Sequence, residues 1–153
     1  MNLTDLLTEQ HIISHLTCRD KESVLRELVS VLVDPKTNVT EEVMFNVLTE
    51  RERLGSTGIG NGVAIPHGKV KGIDRLLVSF GRSAQGVDFD SLDGKPANLF
   101  FVLLAPENST GVHLKLLAKI SKMLKEKEFR TGLMRASSGE DIFKLIKNRD
   151  REL

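Results

Sequence analysis

The residues best suited to chemistry lie in one glycine-rich segment that contains a histidine near its end. Residues 55–69 read Gly-Ser-Thr-Gly-Ile-Gly-Asn-Gly-Val-Ala-Ile-Pro-His-Gly-Lys, and the histidine is His67. The proline before it has a fixed φ and the glycine after it has no Cβ, so the imidazole stands on a stiff, uncrowded backbone. A neutral imidazole is a good nucleophile that titrates near neutral pH. With glycine N–H groups and two hydroxyls nearby, His67 predicts covalent phosphoryl chemistry.

The segment before His67 has the composition of an anion-binding loop. Glycines at alternating positions can adopt positive φ and expose successive backbone N–H groups to a phosphoryl group. We therefore expect a phosphoryl-binding loop that consists of Ser56, Thr57, Gly58, Gly60 and Gly62.

Neither common nucleotide-binding pattern fits this loop. In the P-loop pattern, the first glycine would fall at Val63, and Val70 occupies the position that needs serine or threonine. The dinucleotide pattern fits at Gly58 and Gly60 but again needs a glycine at Val63, and the segment precedes a predicted strand instead of a helix. We expect no nucleotide and no other cofactor.

Three candidate residues each have a structural alternative. His67 could be a polar residue that is satisfied at the end of a strand. His113 begins a predicted helix and could cap it, or could act as a second imidazole that contacts a phosphoryl oxygen. Arg51 lies at the end of a predicted helix, where it could interact with the helix dipole or bind a phosphoryl group through its guanidinium.

The composition excludes several other classes of function. The 153 residues include 22 basic and 21 acidic side chains, so bulk attraction to nucleic acid is not expected. Residues 111–153 are basic, with 11 basic and 6 acidic side chains, which is typical of a solvated helix face or a docking surface for an acidic partner. A single cysteine, Cys18, and the lack of a metal-ligand array argue against a disulfide and a metal site.

The amino-terminal residues do not resemble a signal peptide, and no apolar segment approaches the ~20 residues that a membrane helix needs. We therefore expect a cytoplasmic protein without membrane insertion.

Apolar periodicity and turn residues predict alternating helices and strands. A helical turn is expected at 5–9 and a strand at 12–16, followed by helices capped by Asp20 and Thr40. Further strands are expected at 63–65, 76–80 and 99–104, and further helices at 113–124 and 128–135, with a last helix that begins at Ser138. This order predicts an α/β domain with a mixed sheet.

Residues 51–69 closely resemble the active-site signature of a family of bacterial proteins. The run Arg-Glu-Arg-Leu-Gly-Ser-Thr-Gly-Ile-Gly-Asn-Gly-Val-Ala-Ile-Pro-His-Gly-Lys is similar to that of the mannitol/fructose-class enzyme IIA domains of the phosphotransferase system. The Gly-Ile-Gly-Asn-Gly form looks most like the nitrogen-class branch. The resemblance covers nearly the whole chain, and it implies one type-2 enzyme IIA domain over 1–153 with a three-layer α/β/α sandwich and a central mixed sheet.

The resemblance also implies roles for the candidate residues. His67 would accept a phosphoryl group on Nε2 from the phosphohistidine of a small histidine phosphocarrier protein. His113 matches the family's second active-site histidine, and Arg51 matches its supporting arginine. Because no second domain follows in this sequence, onward transfer would go to a separate protein: a regulated target, or a IIB protein if the role is sugar uptake. Two further hypotheses remain: a signalling module whose binding is switched by phosphorylation, and an anion-binding domain that does not transfer phosphate.

Overall fold

The computed structural model describes residues 2–153 as five helices and six strands, with two short 3-10 turns at Leu3–Asp5 and Glu9–His11. The helices are α1 (Lys21–Ser30), α2 (Glu41–Arg53), α3 (Val112–Leu124), α4 (Lys127–Arg135) and α5 (Gly139–Glu152). The strands are β1 (Ile12–Ile13), β2 (Gly58–Gly60), β3 (Val63–Ala64), β4 (His67–Val70), β5 (Leu77–Val87) and β6 (Ala97–Pro106).

The helix boundaries follow local capping chemistry. The side chain of Asp20 accepts a hydrogen bond from the N–H of Ser23 at the start of α1. Thr40 does the same at α2, and Ser138 does so at α5. Each cap satisfies an N–H that has no partner within its helix. The three predicted helix starts are confirmed.

The strands form one mixed sheet in the order β1-β5-β6-β3-β2. The central pair, β5 and β6, is antiparallel, whereas β1 is parallel to β5. Strands β3 and β4 lie one after the other along the same side of β6 and are both parallel to it. Strand β2 is antiparallel to β3. The predicted mixed sheet is confirmed.

Alternation along β6 divides the core into two layers. Leu99, Phe101 and Leu103 face the layer that contains α3, α4 and α5. Phe100 and Val102 face the layer that contains α1 and α2. Since successive strand residues point to opposite faces, helices cover both sides of the sheet and form the expected three-layer sandwich.

Several predicted boundaries are wrong. The expected helical turn at 5–9 is instead two separate 3-10 turns, and the expected strand at 12–16 is only Ile12–Ile13. Strand β5 continues to Val87, well past the predicted end at residue 80. Arg82 explains part of this extension, because it is buried within β5 and donates to the carbonyl groups of Leu133 and Ala136 at the end of α4.

Candidate functional site

His67 is the first residue of β4, and the strand's alternation decides which layer its side chain faces. Val70 belongs to the core layer on the α1 and α2 side. Gly68 faces the same side, where a Cβ would lie 2.5 Å from Cγ1 of Val47 in α2. His67 therefore faces the opposite side of the sheet, toward α3. The glycine at position 68 allows α2 to pack closely against this strand.

One hydrogen bond orients the imidazole of His67. Its Nδ1 lies 2.7 Å from the carbonyl oxygen of Ile65. A carbonyl oxygen can only accept, so Nδ1 carries the hydrogen and donates it. In the neutral ring, Nε2 then keeps an available lone pair, which is the form a nucleophile needs.

The two predicted histidines line one cavity. It has a volume of about 220 Å³ and lies between the strand pair β4 and β6 and the first turns of α3. Its lining residues are His67, Gly68, Lys69, Leu103, Ala105, His113, Leu114 and Leu117. Leu103, Ala105, Leu114 and Leu117 supply the apolar part of this lining.

His113 lies in the first turn of α3 and is half-buried. Its Nδ1 is 3.1 Å from the hydroxyl oxygen of Ser109, in the loop that precedes the helix. If the serine hydroxyl donates to Nδ1, the neutral ring carries its hydrogen on Nε2. His113 would then offer a donor to the same cavity in which His67 offers an acceptor.

Arg51 lies outside this pair of histidines. It occupies the last turn of α2, and its Nη1 donates to the carbonyl oxygen of Gly55 at 2.8 Å. Within residues 2–153, the structure gives it no hydrogen bond to either histidine. The N–H of Ile65 donates to the carbonyl of Thr57, so the chain just after Gly55 runs along the edge next to the His67 strand. Arg51 is held near this edge without entering the hydrogen bonds of the site.

The two hydroxyls of the predicted loop have protein partners. The Ser56 hydroxyl donates to the carbonyl of Phe89 at 2.7 Å and accepts from the N–H of Gly58 at 3.0 Å. The Thr57 hydroxyl donates to the carboxylate of Glu52, and its side chain is buried. Both hydroxyls therefore hold the loop in place.

The three glycines of the predicted loop lie beside the turn between β5 and β6. A Cβ on Gly58 would clash with Ser91, and Cβ atoms on Gly60 and Gly62 would lie 3.3 Å from Asp93 and 3.2 Å from Asn98. Gly60 and Gly62 flank Asn61 in the tight β2–β3 turn, and all three residues have positive φ. Their close contacts explain why glycine is required there.

The carboxylate of Asp93 fastens this turn. The N–H groups of Lys95 and Asn61 donate to Asp93 and hold the pKa of that carboxyl below its usual value. The glycine-rich run is thus a fixed edge of the sheet. The sequence predicts a loop there, and the structure instead forms strand β2 within it.

Sequence reasoning missed two residues of this region. Glu52 belongs to a charged run at the end of α2, which predicts a helix end exposed to solvent. In the structure Glu52 is buried. Lys69 is exposed and lines the cavity two residues after His67, on the same face of β4. Strand spacing from His67 could have indicated Lys69. No local pattern could have indicated the burial of Glu52.

One family model matches most of the chain. The model described as "Phosphoenolpyruvate-dependent sugar phosphotransferase system, EIIA 2" matches residues 5–149. The chain belongs to this family of phosphotransferase-system enzyme IIA domains.

Relatives of two kinds are similar to the chain. It is 36% identical over 146 residues to a nitrogen regulatory protein of Bradyrhizobium diazoefficiens, which covers 95% of each chain. It is 37% identical over 151 residues to the fructose-specific EIIABC component of Bacillus subtilis. That match covers 99% of this chain but only 24% of the much longer relative.

Solved structures have the same fold. The crystal structure of nitrogen regulatory protein IIA-Ntr from Neisseria meningitidis superposes with a TM-score of 0.87 at 37% identity, covering 93% of this chain and 97% of that one. Enzyme IIA mannitol from Escherichia coli, in a complex with phosphorylated enzyme IIB mannitol, has a TM-score of 0.77 at 22% identity and covers 94% and 99%. The second likeness concerns the fold alone.

Within residues 2–153, every helix is too short or too polar to cross a membrane.

Proposed function

We propose that this chain is a phosphohistidine carrier in which His67 accepts a phosphoryl group on Nε2. The observation that carries this proposal is the hydrogen bond from Nδ1 of His67 to the carbonyl of Ile65, which in the neutral ring leaves the lone pair on Nε2, in a cavity that His113 also lines. The fold and the family agree with a phosphotransferase component, and residues 1–153 then form a single type-2 enzyme IIA domain.

The transfer needs no cofactor on this chain. The Nε2 lone pair of His67 attacks phosphorus as the phosphorus–nitrogen bond of the donor phosphohistidine breaks. A donor ring whose second nitrogen carries a hydrogen leaves as neutral imidazole, and the His67 ring keeps its own hydrogen on Nδ1, where the Ile65 carbonyl accepts it. Catalysis is then mostly positioning and stabilisation of charge on the phosphoryl oxygens. In this proposal the Ser109 hydroxyl donates to Nδ1 of His113, so that the Nε2–H of His113 donates to one of these oxygens.

The remaining site residues support this step from the edge of the sheet. Arg51 holds the carbonyl of Gly55 and supplies positive charge beside the strand that bears His67. The residues Ser56, Thr57, Gly58, Gly60 and Gly62 keep the adjacent edge rigid, and the partners of their side chains and Cβ positions support this role rather than direct contact with phosphate.

The donor in this proposal is a small histidine phosphocarrier protein in the cytoplasm, and the role is regulatory, as in the nitrogen-class branch. The similarity to nitrogen regulatory proteins over 95% of both chains supports the regulatory reading. The similarity to the fructose-specific component of B. subtilis favours a second candidate, in which a separate IIB protein receives the phosphoryl group for sugar uptake.

Phosphotransfer from a labelled donor tests the proposal. Purified chain is incubated with phosphoenolpyruvate, enzyme I and each of several histidine phosphocarriers, and acid-labile phosphate is measured. Label on His67, absent from His67→Ala and retained in His15→Ala, supports the assignment; equal labelling of His67→Ala refutes it. A preferred donor then distinguishes the regulatory role from the sugar-uptake role, and chase with a purified IIB protein shows whether phosphate moves onward.

A further inference from the structure

A regular pair of antiparallel hydrogen bonds is interrupted directly beside His67. The N–H of Ile65 donates to the carbonyl of Thr57 at 3.0 Å. In an antiparallel ladder, the N–H of Thr57 would return a bond to the carbonyl of Ile65. Instead, the N–H of Thr57 donates to Oε1 of Glu52 at 2.9 Å. The carbonyl of Ile65 accepts from Nδ1 of His67.

Glu52 is buried where it makes this contact. Its side chain is 5% exposed, and Oε1 accepts from both the N–H and the hydroxyl of Thr57. The ammonium of Lys21, at the start of α1, lies 2.7 Å from Oε2 as an ion pair without the angle of a directed hydrogen bond. The same ammonium lies 4.7 Å from the centre of the Phe89 ring. A buried carboxylate requires such compensation to remain charged.

We propose that Glu52 is a positioning residue that fixes the reactive tautomer of His67 by withdrawing the N–H of Thr57 from the carbonyl of Ile65. This inference rests on the proposed role of His67 as phosphoryl acceptor. With Glu52 in place, the Ile65 carbonyl faces a single strong donor, Nδ1 of the imidazole. Without it, the N–H of Thr57 takes its usual ladder partner and weakens the anchor of the ring.

The consequence is chemical because the two tautomers differ in reactivity. An imidazole that carries its hydrogen on Nε2 has no lone pair there to attack phosphorus. The partner of the other ring nitrogen selects the tautomer. The Ile65 carbonyl has two lone pairs, so competition from Thr57 lowers the population of the reactive tautomer without eliminating it.

Asp150 provides a matched control that does not line the cavity of His67. It is also a buried carboxylate that accepts from a threonine N–H and hydroxyl, those of Thr4, and it also pairs with a lysine, Lys119. Its environment lies where α5 contacts the amino-terminal turn. Loss of Asp150 removes the same kind of interaction without touching the strand of His67.

The test measures the His67 tautomer by NMR, from the ¹⁵N shifts of both ring nitrogens at mildly alkaline pH. In Glu52→Ala we expect these shifts to move toward the Nε2–H form and the rate of phosphoryl acceptance to fall about tenfold. Glu52→Asp is shorter by one methylene and keeps its charge near Lys21, and we expect a smaller shift in the same direction. Glu52→Gln keeps an acceptor for Thr57 and should restore the tautomer.

Asp150→Ala should leave both the ring shifts and the rate of acceptance unchanged. The inference is overturned if neither Glu52→Ala nor Glu52→Asp moves the ring shifts, or if Asp150→Ala moves them equally. If the alanine variant does not fold, the aspartate variant decides the question. The tautomer is read without any phosphate donor, so a failure of the proposed phosphotransfer would be seen separately.

Discussion

The close approach of α2 to the strand of His67 predicts a large effect for a small substitution, Gly68→Ala. The added Cβ would lie 2.5 Å from Cγ1 of Val47, whereas ordinary carbon contacts are near 3.5–4.0 Å. Valine in a helix has one strongly preferred rotamer, so its methyl group cannot simply turn away. Overpacking of this kind costs about 1–3 kcal/mol, and we expect the free energy of unfolding to fall by that amount.

A double-mutant cycle with Val47→Ala isolates this contact. Val47→Ala alone removes two partly buried methyl groups and should cost about 1 kcal/mol. In Gly68→Ala/Val47→Ala the new methyl group occupies the space left by the valine, so the double variant should be more stable than the sum of the two costs by about 1–2 kcal/mol. Urea unfolding of the four proteins measures this coupling energy.

The same cycle has a functional readout. Strand β4 must move away from α2 in Gly68→Ala, which displaces His67 toward α3, and the rate of phosphoryl acceptance should fall and then recover in the double variant. A Gly68→Ala protein as stable as the parent, or strictly additive costs in the cycle, would refute the packing argument.

Three further predictions concern separate parts of the molecule. His113→Ala should lower the rate of phosphoryl acceptance about 100-fold while the label remains on the acceptor, and rapid-quench labelling measures both; an unchanged rate would remove His113 from the site. Arg82→Met leaves the carbonyls of Leu133 and Ala136 without their buried donor, so urea unfolding should show a loss of about 3 kcal/mol; a loss below about 1 kcal/mol would mean that other groups satisfy them. Burial opposes ionisation of Asp150, but Lys119 and backbone N–H groups lower its pKa below the usual value. Its contribution to stability is therefore present above the ordinary pKa of aspartate and is lost as the pH falls through the lowered folded-state pKa. Asp150→Asn should make the free energy of unfolding less dependent on pH in that acid range, and an unaltered acid limb would contradict this.

Local chemistry explains which parts of the fold could be predicted from the sequence. Asp20, Thr40 and Ser138 cap their helices through atoms within three residues, so their signals are visible in short stretches of chain. The continuous apolar run in β6 is also a local pattern, and it predicts a strand that is buried on both faces. The end of β5 is not visible, because it depends on the pairing of Val87 with Ala97 at the start of β6, across an irregularity that follows Arg82.

The candidate site shows the same division between local and tertiary effects. The proline and glycine beside His67 indicate an accessible imidazole. Its hydrogen bond to the Ile65 carbonyl depends on the backbone path between β3 and β4, which the sequence does not show. Glu52 belongs to a charged run that predicts a solvated helix end, whereas contacts with Thr57 and with Lys21, 31 positions earlier in the chain, compensate its burial. The glycine-rich run predicts a phosphoryl-binding loop by composition. Contacts with Ser91 and Asp93 convert it into a fixed strand and turn.

The most direct test of the proposed function is the site of covalent phosphate after transfer from a histidine phosphocarrier. We predict a single acid-labile phosphoryl group on Nε2 of His67, identified by ³¹P–¹H correlation in the intact protein and absent from His67→Ala. Phosphate on Nδ1 of His67, on another histidine, or at equal levels in the alanine variant would contradict the account.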